Sequence, residues 1–502
     1  MSLREKLKGL VAGLLPSGGI AEQTVKSGIW ATIANVGGRA LQIVLVIVLA
    51  RLLGPSQFGL MGIALLTIAT LRHLTNLGID EALIQKESDD VDSYLNTVFT
   101  LEIGRGIAIT AVVFVAAPAI ASFFGEPRAT DIIRVAGLSP LLMSVRNPGI
   151  IYFQKDLQFH KEALYKLSYS VTRFVVGVGY ALVSPTVWAL VVSYIVADLA
   201  RVAVSYVAHG HRPRPELDLS LARDLINYGK WITGGSILYF IYSQGDDIVV
   251  GAVLSASSLG LYQVAYQLSN APGTEITEVI TRVSFPSFSK LQGDTAALRE
   301  AFFRTLQIAT FVAFPAAVGI AVVAPTFVRA FMGQQWLPMV TTMQILAVYG
   351  LLLSLTAVYP PVWKTLDRPD VGTKLALVRV VLLAIFVVPM TSLYGIEGTA
   401  LTVVGIYIFP MLPLDTYFVV TFLETSYTRV AREVAYPTVA SALMGAGVLA
   451  VDQAVTLQAP LLQFGLLLVT GLVTYVTVVV LLATQFRWTI DQNIRTMYDA
   501  VR

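Results

Sequence analysis

The sequence predicts an all-α polytopic membrane protein with about fourteen transmembrane helices, arranged as two six-helix lobes followed by two C-terminal helices. Three observations support this fold class. The chain is 55% hydrophobic and only 13% charged, with a mean hydropathy of +0.70, whereas a soluble chain carries roughly 25% charged residues. Apolar runs of about 20 residues, the length that crosses a bilayer, recur throughout. In addition, one part of the chain resembles another.

This internal resemblance joins residues 28–64 to residues 229–265 without a gap, at an offset of 201. Gly59, for example, falls on Gly260. Each copy consists of an apolar run of helix length, a short turn and a second apolar run. Because six helices return the chain to the same side of the membrane, the two lobes are expected to be related by an axis along the membrane normal.

The apolar runs follow one another in a regular order. In chain order they cover about 28–50, 58–79, 95–120, 131–152, 163–183, 186–207, 229–252, 259–284, 302–324, 338–361, 371–393, 397–421, 434–452 and 461–484. The loops between them are short, which argues against a soluble domain of any size. The predicted domains are a cytoplasmic amphipathic leader (1–25), an N-lobe (26–208), a cytoplasmic linker (209–226), a C-lobe (227–425), two further helices (426–486) and a cytoplasmic tail (487–502).

The basic residues of the loops predict the orientation. With the N-terminus in the cytoplasm, the inner segments hold about 22 Lys and Arg residues, and the outer loops hold about three. An excess of this kind is typical of cytoplasmic loops. We therefore expect a multi-pass protein of the cell (inner) membrane with both termini in the cytoplasm.

Cysteine and histidine usage limits the chemistry. The chain has no cysteine, which excludes disulfides, thiolate metal sites and cysteine nucleophiles. His209 and His211 lie in an exposed basic loop, where histidines are more often solvated than metal-bound. We predict no metal site and no resident cofactor.

Several arginines lie within the apolar runs of the N-lobe. An arginine at mid-bilayer costs about 2.5–3.5 kcal/mol on insertion scales, so these side chains are expected to line a wet cavity or to pair with acids. Glu102 is the clearest acid at comparable depth. The predicted cavity is therefore cationic, and the planar guanidinium group suits phosphate oxygens. The predicted substrate-binding residues are Arg39, Arg72, Arg105, Arg146 and Arg173, of which Arg72 and Arg146 lie nearer the span ends and could instead reach the interface.

The C-lobe carries acids where the N-lobe has apolar residues. Asp246 and Asp247 fall on Leu45 and Val46 in the repeat. The pattern predicts anion binding in one lobe and, in the other, a latch between the lobes or a coupling cation driven by an H⁺ or Na⁺ gradient. The predicted coupling or latch residues are Asp246, Asp247, Glu275, Glu278 and Arg282.

Three parts of the chain carry a family resemblance. Residues 50–60 (ARLLGPSQFGL) close the first span in a way that resembles the family of Wzx-type polysaccharide flippases. Residues 247–251 (DIVVG) with 259–262 (LGLY) are similar to its second-lobe counterpart. Residues 270–272 (NAP) followed by 282–292 (RVSFPSFSKLQ) are similar to the colanic-acid-exporter branch, which is WzxC-like.

The resemblance covers about residues 25–425 and implies membership of the multidrug/oligosaccharidyl-lipid/polysaccharide (MOP) exporter superfamily. It implies two lobes in a V around a central cavity. It also implies a transporter, not an enzyme, that flips a polyprenyl-(di)phosphate-linked oligosaccharide to the outer leaflet by alternating access, for surface polysaccharide assembly. The implied partners are the lipid-linked oligosaccharide, membrane lipid and glycan polymerase or assembly proteins, with no nucleic acid.

Three other functions stay open at this point. A MATE-like, cation-coupled exporter of drugs or small molecules would favour acids in the cavity, which the basic N-lobe argues against. A membrane glycan polymerase or ligase usually has a sizeable outer loop or a catalytic carboxylate and histidine cluster, and the outer loops here have only about a dozen residues. A scaffold without transport would leave the intramembrane arginines without a role.

Overall fold

The structure, a computed structural model, describes residues 20–76, 78–79, 88–156 and 158–486. Most of the predicted leader (1–25) and the whole predicted tail (487–502) lie outside the described residues. All regular secondary structure in the described part of the chain is helical.

We number the α-helices in chain order. They are α1 (Ile20–Leu52), α2 (Pro55–Leu74), α3 (Ser88–Phe123), α4 (Ala129–Ala136), α5 (Ser139–Ser144), α6 (Tyr152–Lys155), α7 (Phe159–Val183), α8 (Trp188–Ala208), α9 (Leu219–Val253), α10 (Ala256–Ser289), α11 (Thr295–Phe327), α12 (Val340–Thr356), α13 (Tyr359–Thr365), α14 (Asp370–Ile406), α15 (Leu412–Phe422), α16 (Tyr427–Ala454) and α17 (Pro460–Phe486). Short 3₁₀ segments lie at Pro148–Ile151 and Gln334–Met339, and π-helical segments lie at Val328–Met332 and Tyr407–Met411.

The predicted membrane architecture is confirmed. Every predicted span has a helical counterpart, and within the described residues nine stretches are long and apolar enough to cross a membrane. Helices suit this role because each backbone N–H and C=O group finds its partner within its own segment, away from water.

Three predicted spans are interrupted rather than continuous, and one of them is the run 397–421, where Phe409 between α14 and α15 has a non-helical φ of −136° and ψ of 112°. The run 131–152 is divided into α4, α5 and α6, with Gly137 after α4 and Pro140 in the first turn of α5. The run 338–361 breaks between α12 and α13, where Pro360 follows the start of α13. Proline lacks a backbone N–H and clashes with the preceding turn, so helices end or restart beside it.

The turn between two further spans is a single glycine. Gly395 has φ 62° and ψ −145°, which divides α14 into two consecutive helices. Only glycine adopts this conformation without strain, because it has no Cβ. Thr391 and Thr399 close the turn with a 2.7 Å hydrogen bond between their hydroxyl groups. The outer loop predicted between 393 and 397 is therefore almost absent.

The chain divides into two compact units. The first unit comprises the chain up to Phe240 together with Ser255–Ser257, and the second comprises Ile241–Leu254 and the chain from Ser258 onward. The division falls within α9. The lobe boundaries expected from the repeat stay a prediction.

Helix α7 is central to the packing of the first unit, where it lies against α1 and α8. Lys166 Nζ donates to Asn35 Oδ1 at 3.5 Å. Further along, Leu45 Cδ1 lies 3.3 Å from where a Cβ on Gly177 would be. The paired residue numbers differ by 131 and 132 at these two contacts, so α1 and α7 run in the same direction in a constant register.

The second unit has an extended aromatic and aliphatic core. Phe302 and Tyr359 stack with ring centroids 5.7 Å apart, and Trp363 and Met411 are also buried in this core. Helices α16 and α17 pack against α11, where the Tyr475 hydroxyl group donates a 2.7 Å hydrogen bond to the backbone carbonyl of Phe311.

Candidate functional site

A cavity of about 260 Å³ in the first unit brings together three of the predicted substrate-binding arginines. We refer to it as the arginine cavity. Its lining residues are Arg72, His73, Asn76, Ile79, Glu102, Arg105 and Arg146. Arg72 lies in the last turn of α2, and Arg105 lies near the middle of α3. Arg146 lies in the non-helical segment that follows α5. The interruption of the fourth predicted span is therefore what brings Arg146 to this cavity.

Arg105 is held by bonds from three of its nitrogens. Its Nη1 pairs with Glu102 at 3.0 Å, its Nε donates to Thr75 Oγ1 at 3.2 Å, and its Nη2 donates to the Arg72 carbonyl at 3.2 Å. These bonds join α3 to the end of α2. Arg105 consequently holds the wall of the arginine cavity as well as contributing charge to it.

A second cavity, of about 170 Å³, shares Glu102 and Arg146 with the first and adds Glu162 and Lys166. Lys166 Nζ lies 2.8 Å from Glu162 Oε1, one turn earlier in α7. Taken together, the linings of the two cavities contain four Arg and Lys side chains and two carboxylates. This excess of positive charge is suited to an anion with more than one charge, and the arginines among them can bind phosphate oxygens in a bidentate manner.

Arg39 and Arg173 lie elsewhere in the first unit, in α1 and α7. Because facing residues of α1 and α7 differ in number by 131 or 132, Arg39 lies level with residues 170 and 171. Arg173 is two or three residues further along, so Arg39 and Arg173 are within about 5 Å of each other along the helix axes, at 1.5 Å per residue. Both side chains are half-buried. The structure thus places two of the predicted arginines at one depth on neighbouring helices.

Arg173 belongs to a cluster of two arginines and three tyrosines between α7 and α8. Its Nη1 donates to the Tyr169 hydroxyl at 3.3 Å, and its Cζ lies 5.8 Å from the ring centroids of both Tyr169 and Tyr194. Arg201 lies over Tyr169 at 4.2 Å and over Tyr165 at 5.6 Å. These are cation–π distances, and such contacts keep a guanidinium group in place without neutralising it.

A buried acid lies beside this arginine–tyrosine cluster. Asp198 in α8 is only 3% exposed and accepts a 2.5 Å hydrogen bond from the Ser139 hydroxyl. Ser139 also accepts a 3.0 Å hydrogen bond from Arg72 Nη2 and lies 3.1 Å from the Tyr194 hydroxyl. Sequence reasoning missed Asp198 and Arg201. Their spacing of three residues within an apolar run was the available signal, because charged residues inside a span need partners.

Of the four acids of the second unit that the sequence singled out, only Asp246 is buried. Asp246 is 3% exposed and accepts a 2.6 Å hydrogen bond from the Tyr262 hydroxyl. Asp247 is its neighbour in α9 and is half-buried. Glu278 and Arg282 form a 2.8 Å ion pair on α10, with about half of each side chain exposed, and half-buried Glu275 lies one turn before Glu278. Asp246, Asp247 and Glu275 are thus less exposed than Glu278.

A buried ion pair in the second unit was not expected. Arg379 in α14 lies 3.6 Å from Asp415 in α15, and Asp415 is 2% exposed. The Arg379 Cζ lies 4.5 Å from the Tyr407 ring centroid, and Tyr407 in turn packs on Tyr349 at 4.9 Å. The sequence shows both charges within apolar runs, but not that they meet.

Replacing Asp415 by asparagine is expected to lower the stability of the folded chain by about 3–5 kcal/mol, because Arg379 would be left buried without its counter-charge. The midpoint of thermal unfolding in detergent measures this effect. The double variant Arg379→Met with Asp415→Leu should lose less stability than the single variant Asp415→Asn does. Glu300→Gln is the control, since Glu300 pairs with Arg429 at an exposed position worth about 0–1 kcal/mol. Equal losses in Asp415→Asn and Glu300→Gln would contradict the prediction.

Comparisons with known proteins agree with this architecture. Residues 48–341 match the family model described as polysaccharide biosynthesis protein. The chain is 31% identical over 342 residues to the lipopolysaccharide biosynthesis protein WzxC of Escherichia coli K12, covering 67% of this chain and 68% of that protein.

Solved structures share the fold at low sequence identity. The inward closed structure of the lipid II flippase MurJ superposes with a TM-score of 0.72 at 14% identity, covering 92% of this chain and 100% of that chain. An inward-facing multidrug resistance MATE family transporter of the MOP superfamily gives a TM-score of 0.59 at 14% identity, covering 79% and 96%. The family resemblance inferred from the three sequence segments is confirmed: this chain belongs to the polysaccharide biosynthesis protein family and has the multi-pass membrane fold of the MOP exporter superfamily.

Proposed function

We propose that this chain flips a polyprenyl-(di)phosphate-linked oligosaccharide from the cytoplasmic to the outer leaflet of the cell membrane, for the assembly of a surface polysaccharide. The observation that carries the proposal is the arginine cavity of the first unit, with three guanidinium groups and one carboxylate in its lining. Family membership, the lipopolysaccharide biosynthesis role in the name of WzxC and the lipid II flippase role of MurJ support the same substrate class.

The phosphate-bearing part of the substrate is the part that these residues recognise. Arg72 and Arg146 offer planar groups of N–H donors to phosphate oxygens, while Arg105 is held by Glu102 and Thr75 and adds charge. Lys166 in the adjoining cavity supplies a further ammonium group. The oligosaccharide occupies polar space, and the polyprenyl chain stays in the lipid because its transfer into water would be unfavourable.

Arg39 and Arg173 provide a second position for the same phosphate groups. The two residues lie at one depth on α1 and α7, and Lys166 lies two helical turns before Arg173 on the same helix. Positions seven residues apart share one face of a helix and are separated by about 10.5 Å along its axis. The diphosphate would pass from the arginine cavity to this pair as the protein changes from one access state to the other.

The orientation of the protein follows from its basic loops. The excess of Lys and Arg in alternate loops supports cytoplasmic positions for both termini in the cell (inner) membrane. The end of α2, where Arg72 lies, would then face the cytoplasm, where lipid-linked oligosaccharides are assembled. A glycan polymerase or another assembly protein would take up the product on the outer side. The chain would act as a transporter rather than as an enzyme.

Reconstitution into liposomes tests this function. A polyprenyl-diphosphate disaccharide carrying a nitrobenzoxadiazole fluorophore on its sugar is added, and dithionite then bleaches only the fluorophores that face the outside. If the chain flips the substrate, the fraction of fluorophores that dithionite bleaches rises well above about one half. We expect this for the diphosphate substrate and not for a phosphate-free polyprenyl glycoside. Export of ethidium without flipping of the diphosphate would instead indicate the MATE-like exporter, and growth of the glycan chain would indicate a polymerase.

Coupling to an ion gradient is the second part of the proposal. Asp246 is buried beside Tyr262, and Asp247 is its neighbour, so the pair could take up H⁺ or Na⁺ in the second unit. The double variant Asp246→Asn with Asp247→Asn is expected to flip at the same rate with and without an imposed gradient, whereas the native chain speeds up when the gradient is present. Glu300→Gln, at an exposed ion pair with Arg429 outside the predicted coupling residues, is the control that keeps the native response. An undiminished response in the double variant would remove these aspartates from the coupling step.

A further inference from the structure

Asp198 is a buried acid among arginines that has no assigned role. It lies in α8, one turn after Tyr194 and one turn before Arg201, and is 3% exposed. The charges of Arg201, Arg72 and Arg173 all act on its carboxylate. Asp198 is therefore the acid shared by three guanidinium groups of the first unit. One carboxylate against three guanidinium groups leaves this region with surplus positive charge.

The arginines around Asp198 are held by neutral groups. Arg72 donates to the Ser139 hydroxyl, Arg173 donates to a tyrosine hydroxyl, and Arg201 lies on two tyrosine rings. In the part of the chain that the structure describes, none of the three forms an ion pair within 4.0 Å. Hydrogen bonds to an ion are roughly twice as strong as those between neutral groups. A phosphate would therefore displace the neutral partners readily.

Ser139 links one of these arginines directly to the acid. Its hydroxyl group accepts from Arg72 Nη2 at 3.0 Å and donates to Asp198 Oδ2 at 2.5 Å. Ser139 is fully buried, so water does not compete for these bonds. Since Arg72 also lines the arginine cavity, a change at Asp198 reaches the cavity through two hydrogen bonds.

We propose that Asp198 is a positioning residue that serves as the internal counter-ion of Arg72, Arg173 and Arg201, offsetting their charge when no substrate is bound and competing with the phosphate groups of the bound substrate. This inference rests on the proposed function. The competition has a physical purpose, because a transported ion must bind well enough to enter and weakly enough to leave. Three arginines without any acid would retain a diphosphate; the Asp198 charge keeps its release possible.

The test measures binding and flipping separately on the full-length protein in detergent and in liposomes. Farnesyl diphosphate is the binding probe, and farnesol is its uncharged control. Asp198→Asn is expected to tighten binding of farnesyl diphosphate by about tenfold, the effect of removing one charge about 10 Å away at an effective dielectric constant near 20. The same variant should flip the lipid-linked substrate several-fold more slowly, because release becomes limiting. Asp198→Glu keeps the charge and should bind within about twofold of the native chain.

A charge-compensated pair keeps the test decisive if Asp198→Asn does not fold. Arg201→Gln alone should weaken binding, and Asp198→Asn combined with Arg201→Gln should bind about tenfold more tightly than Arg201→Gln. Asp452→Asn is the matched control, a hydrogen-bonded acid of α16 in the second unit, and should leave the affinity unchanged.

Two results would overturn the inference. One is an unchanged or weaker affinity in Asp198→Asn, or in the double variant relative to Arg201→Gln. The other is equal tightening in Asp198→Glu, which would exclude charge as the cause. A native chain that does not prefer farnesyl diphosphate to farnesol would instead contradict the proposed function itself, so the two failures are distinguishable.

Discussion

Replacing Arg39 and Arg173 together by glutamine is expected to slow flipping of lipid-linked oligosaccharide by about 100-fold or more. Each hydrogen bond from a guanidinium group to an ion is worth about 1.5–3 kcal/mol, and every 1.4 kcal/mol changes a rate or an equilibrium about tenfold. The two side chains lie at one depth on α1 and α7, so their loss removes a complete position for the phosphate groups. Glutamine retains some hydrogen-bonding capacity but has no charge.

The dithionite assay in liposomes measures this effect, with protein level and unfolding midpoint recorded for each variant. Arg51→Gln is the matched control, because Arg51 is an exposed arginine in the last turn of the same helix α1. The Arg51→Gln protein should flip the substrate at the native rate. Arg39→Lys with Arg173→Lys keeps the charge but loses the planar group and should retain intermediate activity. A well-folded glutamine double variant that flips within about threefold of the native rate would rule out this pair as a phosphate site.

The second large effect is on folding and concerns a glycine of the internal repeat. A Cβ at Gly59 in α2 would overlap the backbone carbonyl oxygen of Ala256, at the start of α10. No side-chain rotation relieves that overlap, because the atom it meets is backbone. Gly59→Val is therefore expected to give no correctly folded protein, since accommodating the side chain would require α2 and the start of α10 to separate.

Size-exclusion chromatography of a fluorescent fusion, followed by thermal unfolding, measures the effect of Gly59→Val. Gly179→Val is the matched control: Gly179 is an exposed helical glycine of α7 with open space around its Cβ position. The control protein should elute as the native chain does, and its free energy of unfolding should fall by no more than about 1 kcal/mol. A monodisperse Gly59→Val protein with a native unfolding midpoint would show that this contact is not required.

The long helices were predictable because the bilayer imposes a rule that can be read from composition. A segment that crosses hydrocarbon must be about 20 residues long, mostly apolar and internally hydrogen-bonded. The interruptions of the fourth and tenth spans also had a local signal, in Gly137, Pro140 and Pro360. A glycine or proline inside an apolar run makes one continuous helix less favourable. Arg146 lies at the arginine cavity because the fourth span is interrupted.

The pairing of the charged residues was only partly predictable. Glu102 and Arg105 are three residues apart on one helix, so their ion pair follows from helical geometry. Arg379 and Asp415 are on different helices, and nothing local indicates that they meet. Asp198 reaches Arg72 through Ser139, three side chains from three separate helices. The roles assigned to the predicted binding and coupling residues stay predictions.

The sequence by itself therefore determined that this chain is an all-α membrane protein of a recognisable family, with several arginines within the apolar runs of its first half. Composition and periodicity carry that information because they report how each segment meets its solvent. Only the tertiary structure decided which charges share a cavity, that Arg39 and Arg173 lie at one depth, and that a single buried aspartate is shared by three arginines. Those facts depend on the register between helices distant in sequence, which is set by close packing of side chains and not by any local pattern.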